Sequence, residues 1–584
     1  MGTLTDRKLF SCVAAIAVLA GSIFAFAKDK EKESSPEIKF TARAELVLVP
    51  TLVTDKSGAH ISGLKKEDFT VLENGSERNI ATFEEITTDT RRLSRPNNAN
   101  EFSNALSGGE SNRRITLIVL DFINTPFMDQ AYARRELLKY LSQSVDSREP
   151  TGLFTLTRSG VHIVHDFTTD PRVLLAALHK VKGDSSHLVD SPEDVEGITG
   201  NASPEGSAGV DPGTVQSEAD RLQTMMEDAE LNFQSFQQRL AITYTLEGMQ
   251  AVAQALAGFP GRKSLIWAGG GFPFSVSDNT MQLAPAGRDT LADVLPLYER
   301  TWQRLNDAQI ALYPVDVKGL QPITPSASIR MPSNPNRRPG GFERSASWRQ
   351  MDTQATLQTF ASMTGGRAYY NSNDLVKGFR DAVNDSSQYY MLGYYLDRSN
   401  TRPGWRKLAV KVKRDHVQVR ARSGFFVTNT TVDPATTRDS DLVSALQSPL
   451  DYTALAVVAR WDTVEASKEP GKKHVHFVLE LAADPALIDI ADNNHVALEF
   501  FAQAKTIEGK PVDHSVGKKV DLHPTAEHLK IMREEGIGYR GALDLAPGEY
   551  SVRFVVRDDL SGRVGSVAAP LKVESETSGT RQVH

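Results

Sequence analysis

Residues 115–123 (ITLIVLDFI) carry a single charge, Asp121, close to the end of the run. A near-continuous apolar stretch of strand length reads as a strand buried on both faces, and such strands occur where helices cover both sides of a sheet. The following residues keep to that plan. Residues 128–145 place Ala131, Leu137, Leu138 and Leu141 at helical spacing, and 152–157 and 161–167 read as two strands paired across Ser159-Gly160. Helical stretches at 171–181 and 215–256 lead into a second buried strand, 263–269 (KSLIWAG). A helix over 290–308, a strand over 310–317, helices over 353–363 and 374–383 and a last strand over 389–396 (YYMLGYYL) complete the series, with Gly365-Gly366 as a helix stop. The alternation predicts an α/β fold: a doubly wound, mostly parallel sheet over 115–396.

The 584 residues predict three to five units, since one core rarely serves more than 100 to 200 residues. Residues 38–90 read as an N-terminal β module, with Asn74-Gly75 as a hairpin signal, and the Asn-, Ser- and Gly-rich 91–114 as a linker. Residues 397–427 read as a β-hairpin packing on that module: Leu408, Val410 and Val412 alternate with Lys407, Lys411 and Lys413. A Thr- and Asp-rich linker at 428–441 precedes 442–575, whose short alternating strands predict a C-terminal all-β, immunoglobulin-like sandwich.

The only cysteine, Cys12, lies inside a leader-like segment. Arg7 and Lys8 precede an apolar run over 9–24, and Ala25-Phe26-Ala27 is a small-x-small cleavage site, so 1–27 reads as a signal peptide. Cleavage leaves no cysteine, hence no disulfide, thiolate metal site or cysteine nucleophile, and no transmembrane span. The expected location is periplasmic, cell-surface or extracellular. A net charge of −7 from well-mixed acids and bases gives no global field for nucleic acid. Two insertions interrupt the central region, at 183–216 and 320–350. The first lies in a stretch, 183–220, with nine acids and no Lys or Arg; the second holds Arg330, Arg337, Arg338, Arg344 and Arg349 against the single acid Glu343.

Across 40–427 the chain resembles the von Willebrand factor type A family, in particular its secreted, VWFA-related bacterial members. The resemblance is carried by Val71-Leu72-Glu73-Asn74-Gly75, Asp121-Phe122-Ile123-Asn124-Thr125-Pro126-Phe127, Asp166-Phe167-Thr168-Thr169-Asp170, Ala361-Ser362-Met363-Thr364-Gly365-Gly366-Arg367, Tyr390-Met391-Leu392-Gly393-Tyr394-Tyr395 and Val419-Arg420-Ala421-Arg422-Ser423-Gly424-Phe425-Phe426. It implies a Rossmann-like central domain whose carboxyl edge bears a metal-ion-dependent adhesion site, where hard oxygen ligands hold Mg²⁺ and leave one position for a partner's carboxylate. The pattern here is degenerate. Asp121 matches the first Asp, Thr125 the last hydroxyl and Thr168, beside Thr169, the second-loop Thr; Ile123 stands where the middle Ser belongs, and Ala268 or Gly269 replaces the third-loop Asp. The resemblance thus implies a binding edge of Asp121, Asn124, Thr125, Thr168 and Thr169, with at most weak Mg²⁺ or Mn²⁺ held by Asp121, Thr125 and Thr168.

There is no His-Glu-x-x-His or Gly-x-Ser-x-Gly motif, and Gly261-Arg262-Lys263-Ser264 lacks phosphate-loop spacing. His474, His476 and Glu480 share one face of a predicted strand, a spacing that Zn²⁺ ligands can use. The expectation is an exported, non-catalytic, adhesion-type protein that binds a protein partner on the envelope or outside the cell. The alternatives are an envelope-associated hydrolase without a recognisable site and a structural envelope component.

Overall fold

The computed structural model describes residues 44–88, 100–104, 115–143, 150–183, 212–277, 280–282, 291–318, 346–372, 374–385, 387–397, 402–427, 434–481, 487 and 494–574. The N-terminal strands are β1 (Ala44–Thr54), β2 (Phe69–Glu73), β3 (Ser76–Arg78) and β4 (Thr82–Thr87), followed by the short β5 (Glu101–Ser103). The middle runs β6 (Ile115–Asp121), α1 (Phe127–Gln143), β7 (Thr151–Thr157), β8 (Gly160–Thr168), α2 (Pro171–Lys180), α3 (Pro212–Leu256), β9 (Lys263–Gly269), β10 (Ser275–Ser277), β11 (Thr280–Gln282), α4 (Leu291–Asp307), β12 (Ile310–Asp316), α5 (Ala346–Thr364) and α6 (Leu375–Asn384). The rest comprises β13 (Gln388–Asp397), β14 (Gly404–Val412), β15 (Gln418–Arg420), β16 (Gly424–Val427), α7 (Pro434–Gln447), β17 (Val457–Ala466), β18 (Lys473–Leu481), β19 (Val496–Thr506), β20 (Pro511–Leu522), α8 (Ala526–Glu535), β21 (Ile537–Leu545), β22 (Gly548–Asp558) and β23 (Val564–Val573).

This architecture corrects the expected fold class, a doubly wound, mostly parallel α/β sheet. Among the described residues 23 strands stand against eight α-helices, and five of the six sheets are antiparallel throughout, so the chain is mostly β. Parallel pairing is confined to one sheet, ordered β12-β9-β6-β7-β8, and even there β8 returns antiparallel to β7. The cause at β8 is connection length: Arg158 and Ser159 alone separate it from β7, whereas a parallel crossover takes a dozen residues or more. The strand expected to close the central sheet is the second departure. β13 instead lies between β1 and β4, Leu48 facing Gly393 on one side and Phe83 facing Leu392 on the other. An apolar run reports burial on both faces; it does not report which strand lies alongside.

In the five-stranded sheet every residue of β6, β9 and β12 is buried. Alternation divides their side chains between two cores. Leu117 and Val119 join Leu246 and Met249 of α3 and Trp302 of α4, while Ile118 and Leu120 join Leu137 and Tyr140 of α1 and Phe379 of α6. Each fully buried Leu, Ile or Phe contributes about 1.5–3 kcal/mol by leaving water, so these two layers hold the strand ends, where the candidate site lies, in fixed positions.

The N-terminal strands and residues 404–427 form two four-stranded sheets, β15-β1-β13-β4 and β16-β14-β2-β3, around Val49, Val71, Tyr390, Leu392 and Leu408. The expected 397–427 hairpin is opened out. β14 pairs with β2 and β16, and β15 pairs with the end of β1, so its two arms belong to different sheets.

Towards the C-terminus, β21-β18-β17-β5 faces β20-β19-β22-β23 across a core that includes Phe477, Phe500 and Phe554. β5 falls in the stretch read as a linker. The amide of the buried Asn104 ties it down, donating to Tyr452 O (2.6 Å) and Leu455 O (2.8 Å) and accepting from Val457 N (2.8 Å). The second presumed linker includes the start of α7, whose buried Asp441 accepts from Arg304 of α4 at 2.8 Å and pairs with Arg557 of β22 at 3.2 Å. No described helix is long and apolar enough to cross a membrane.

Candidate functional site

Where β6 ends, the chain must turn out of the sheet, and Asp121 builds that turn. Its Oδ1 accepts from Ile123 N and Asn124 N, both at 3.0 Å, and its Oδ2 from Asn124 Nδ2 at 2.7 Å and Trp267 Nε1 at 2.9 Å. A carboxylate offers about four lone-pair positions, and all four are taken. Burial pushes the Asp121 carboxyl above its ordinary range, and the hydrogen bonds from Asn124, Trp267 and Ile123 pull it back.

The loop is fastened on two more sides. Thr125 Oγ1 accepts from Gly270 N at 2.9 Å, tying it to the exit of β9. Asn124 Nδ2 also donates to Thr245 Oγ1 at 2.8 Å, and Thr245 donates to Ala241 O within α3 at 2.7 Å. The two donated bonds fix the orientation of the Asn124 amide, because the flipped form would set its oxygen against the Asp121 carboxylate. Its Oδ1 is buried without a hydrogen-bond partner among the described residues.

Next to this loop, three charged groups gather where β12 ends and α1 begins. Asp316 Oδ1 accepts from Lys318 N at 3.0 Å, and burial raises its carboxyl. Asp129 is raised by burial too, and Lys318 acts to lower it. In the first turn of α1, Phe127 is 48% and Met128 77% exposed, beside a loop whose own polar groups are locked inward.

The expected site is only partly assembled. Asp121, Asn124 and Thr125 meet because they are contiguous. Thr168 and Thr169 do not join them: Thr168 faces Thr151 at the start of β7, whereas Asp121 faces Leu156 near its end. At about 3.3 Å per residue, these two positions on β7 are some 16 Å apart. The antiparallel return of β8 carries Thr168 to the amino edge, where its Oγ1 accepts from Asp170 N at 3.2 Å.

The third-loop position is closed as well. A Cβ on Gly269 would lie 3.0 Å from Asp121 Cβ and 3.4 Å from Thr125 Oγ1, so no acid fits there without displacement. Since four N–H groups already fill the Asp121 lone pairs, Mg²⁺ or Mn²⁺ would have to displace them; these residues do not suit a divalent cation. No cluster of three metal-ligating His, Cys, Asp or Glu side chains occurs among the described residues. The His474 and His476 rings stay in contact, 4.7 Å between centroids, but His474 pairs with Asp544 at 2.8 Å and Glu480 with Arg460. The predicted signal, 1–27, the bulk of both insertions and Arg330, Arg337, Arg338 and Arg344 lie outside the described residues.

Phe127, Met128 and Asp129 escaped the sequence reading of the site, as did Trp267, Thr245 and Lys318. Trp267 left a usable signal, because a tryptophan inside a wholly buried strand needs an acceptor for its indole N–H. Thr245 left a weaker one, a lone hydroxyl on the buried face of α3. Lys318 sits two residues beyond the end of β12 and left none. No protein-family model matches the chain, and no curated protein matches it.

Proposed function

We propose that this chain is an exported, non-catalytic binding protein that holds a protein partner, on the envelope or outside the cell, at the carboxyl edge of its five-stranded sheet. Export rests on the leader pattern of residues 1–27, and kinship with VWFA-related proteins on the motifs quoted above rather than on fold class. The observation that carries the binding role is the exposed pair Phe127 and Met128, set on a loop anchored through Asp121 and Thr125 and flanked by Asp129 and Lys318. Apolar side chains on a pre-organised support, rimmed by charge, are the usual anchors of protein interfaces, because little entropy is lost when a partner covers them. Asp121 serves as a brace, and contact falls to its neighbours.

The test is a pull-down from envelope extract with the chain and with a Phe127→Ala/Met128→Ser variant. A partner retained by the first and lost by the second supports the reading. An identical partner set for both, with the two proteins equally stable, contradicts it.

A further inference from the structure

Helix α3 is 45 residues long, about 68 Å at 1.5 Å per residue, and its two halves are built differently. From residue 241 onward it is a core helix, with Ile242, Leu246, Met249 and Val252 packed beneath the sheet and α4. Just before it, residues 237, 238 and 240 are half-buried, Leu240 against that same core. Every side chain described between 221 and 236 is exposed, including Met225 (69%), Met226 (73%), Phe233 (56%) and Phe236 (57%). Apolar surface of that extent along one helix is rarely left uncovered.

The sequence of this half follows a strict heptad. Ala219, Met226, Phe233 and Leu240 occupy one seam position and Val215, Leu222, Ala229 and Phe236 the other, in alternating steps of four and three. Nearly four heptads with an unbroken apolar seam specify a coiled coil. We propose that residues 215–240 pair with the same segment of a second copy of this chain as an antiparallel coiled coil.

The choice of occupant and direction follows from complementarity. In an antiparallel pair centred between residues 227 and 228, Ala219 falls opposite Phe236 of the second copy and Ala229 opposite its Met226, small against large, and two-fold symmetry repeats each layer. The flanking positions then set Glu218 opposite Arg239 at both ends, two opposite-charge pairs from a single sequence. A parallel pair would stack Ala219 on Ala219 and Phe233 on Phe233, leaving a thin layer and a thick one. It would also set Glu218 against Gln223 and Met225 against Glu230, with no charge matched. This pairing does not depend on the carboxyl-edge reading.

Sedimentation equilibrium of the full chain, at concentrations on the order of 1–100 µM, tests it. The chain should dimerise, and Phe233→Asp should be monomeric with unchanged circular dichroism. Glu218→Arg should weaken the dimer about tenfold by setting like charges opposite at both ends, and adding Arg239→Glu should restore it. A chain monomeric throughout the range, or a dimer indifferent to both Phe233→Asp and Glu218→Arg, overturns the proposal. Failure of the charge-swapped double variant to recover overturns the antiparallel order.

Discussion

The five-stranded sheet buries a charge at each end, and burial disfavours both, but the two are partnered very differently. Asp121, at the carboxyl end of β6, is 1% exposed and accepts four hydrogen bonds. Lys263, at the amino end of β9 and opposite Ile115, is 2% exposed, and its amine donates to Phe259 O at 2.6 Å, the one side-chain hydrogen bond it makes among the described residues. Desolvation lowers the lysine to about 7, so near neutral pH it sheds much of its charge. A buried charge whose capacity is filled becomes a brace that fixes a loop; one with a single partner costs stability and is given up. This contrast explains why the carboxyl edge can present Phe127 and Met128 on a rigid support, and why Thr168, at the other edge, belongs to no such network.

The largest effect expected from breaking the comparison is at Asp121. Asp121→Ala leaves four buried donors without their acceptor and should cost about 3–5 kcal/mol, whereas Thr168→Ala, which loses one half-buried contact, should cost under about 1 kcal/mol. Urea unfolding of both variants beside the parent measures the difference; equal losses would mean that the two edges are not distinct.

Lys263→Met should act in the opposite direction. In the unfolded chain the amine titrates near 10.5 and in the folded chain near 7, so folding releases its proton between those values. The penalty is absent above the unfolded value, grows as pH falls and is complete below the folded one. The substitution should therefore stabilise by about 2 kcal/mol at pH 7, net of the lost bond to Phe259 O, with the gain shrinking towards pH 10. Denaturant melts across that range check both sign and slope, and a gain that grew with pH would show the lysine to be charged in the fold.

Smallest is the link from the edge to α3. Thr245→Val removes the acceptor of one Asn124 N–H and should cost about 1 kcal/mol, with hydrogen exchange quickening at Asn124 and Thr125 before it does so elsewhere in the sheet.

How far the sequence was legible follows the same division. The strands at Ile115–Asp121, Lys263–Gly269 and Ile310–Asp316 lie where apolar runs put them, because full burial on two faces requires a near-continuous apolar composition. Partner choice is a different property. β13 carries as apolar a run as β6, and nothing in it states that β1 and β4, more than 290 residues earlier, lie beside it. The short turn between β7 and β8 did contain the answer for Thr168, since the far arm of a hairpin must end where the near arm began. Matching a ligand pattern by order along the chain overrode that geometry. Asp121, Asn124 and Thr125 were legible as one group because they lie on one turn; Trp267 and Thr245 reach it from 146 and 121 residues away through side chains whose direction depends on the finished packing.

The claim on which the rest stands is that Asp121 is satisfied by protein donors and braces the edge without a cation. Thermal unfolding of the chain and of Asp121→Ala, each in chelator and in millimolar Mg²⁺ or Mn²⁺, tests it most directly, because a ligand of the native state must raise the melting temperature by mass action. The account predicts a large drop for the variant and no metal-dependent shift in either protein. A rise with metal in the parent chain that disappears in Asp121→Ala would contradict it.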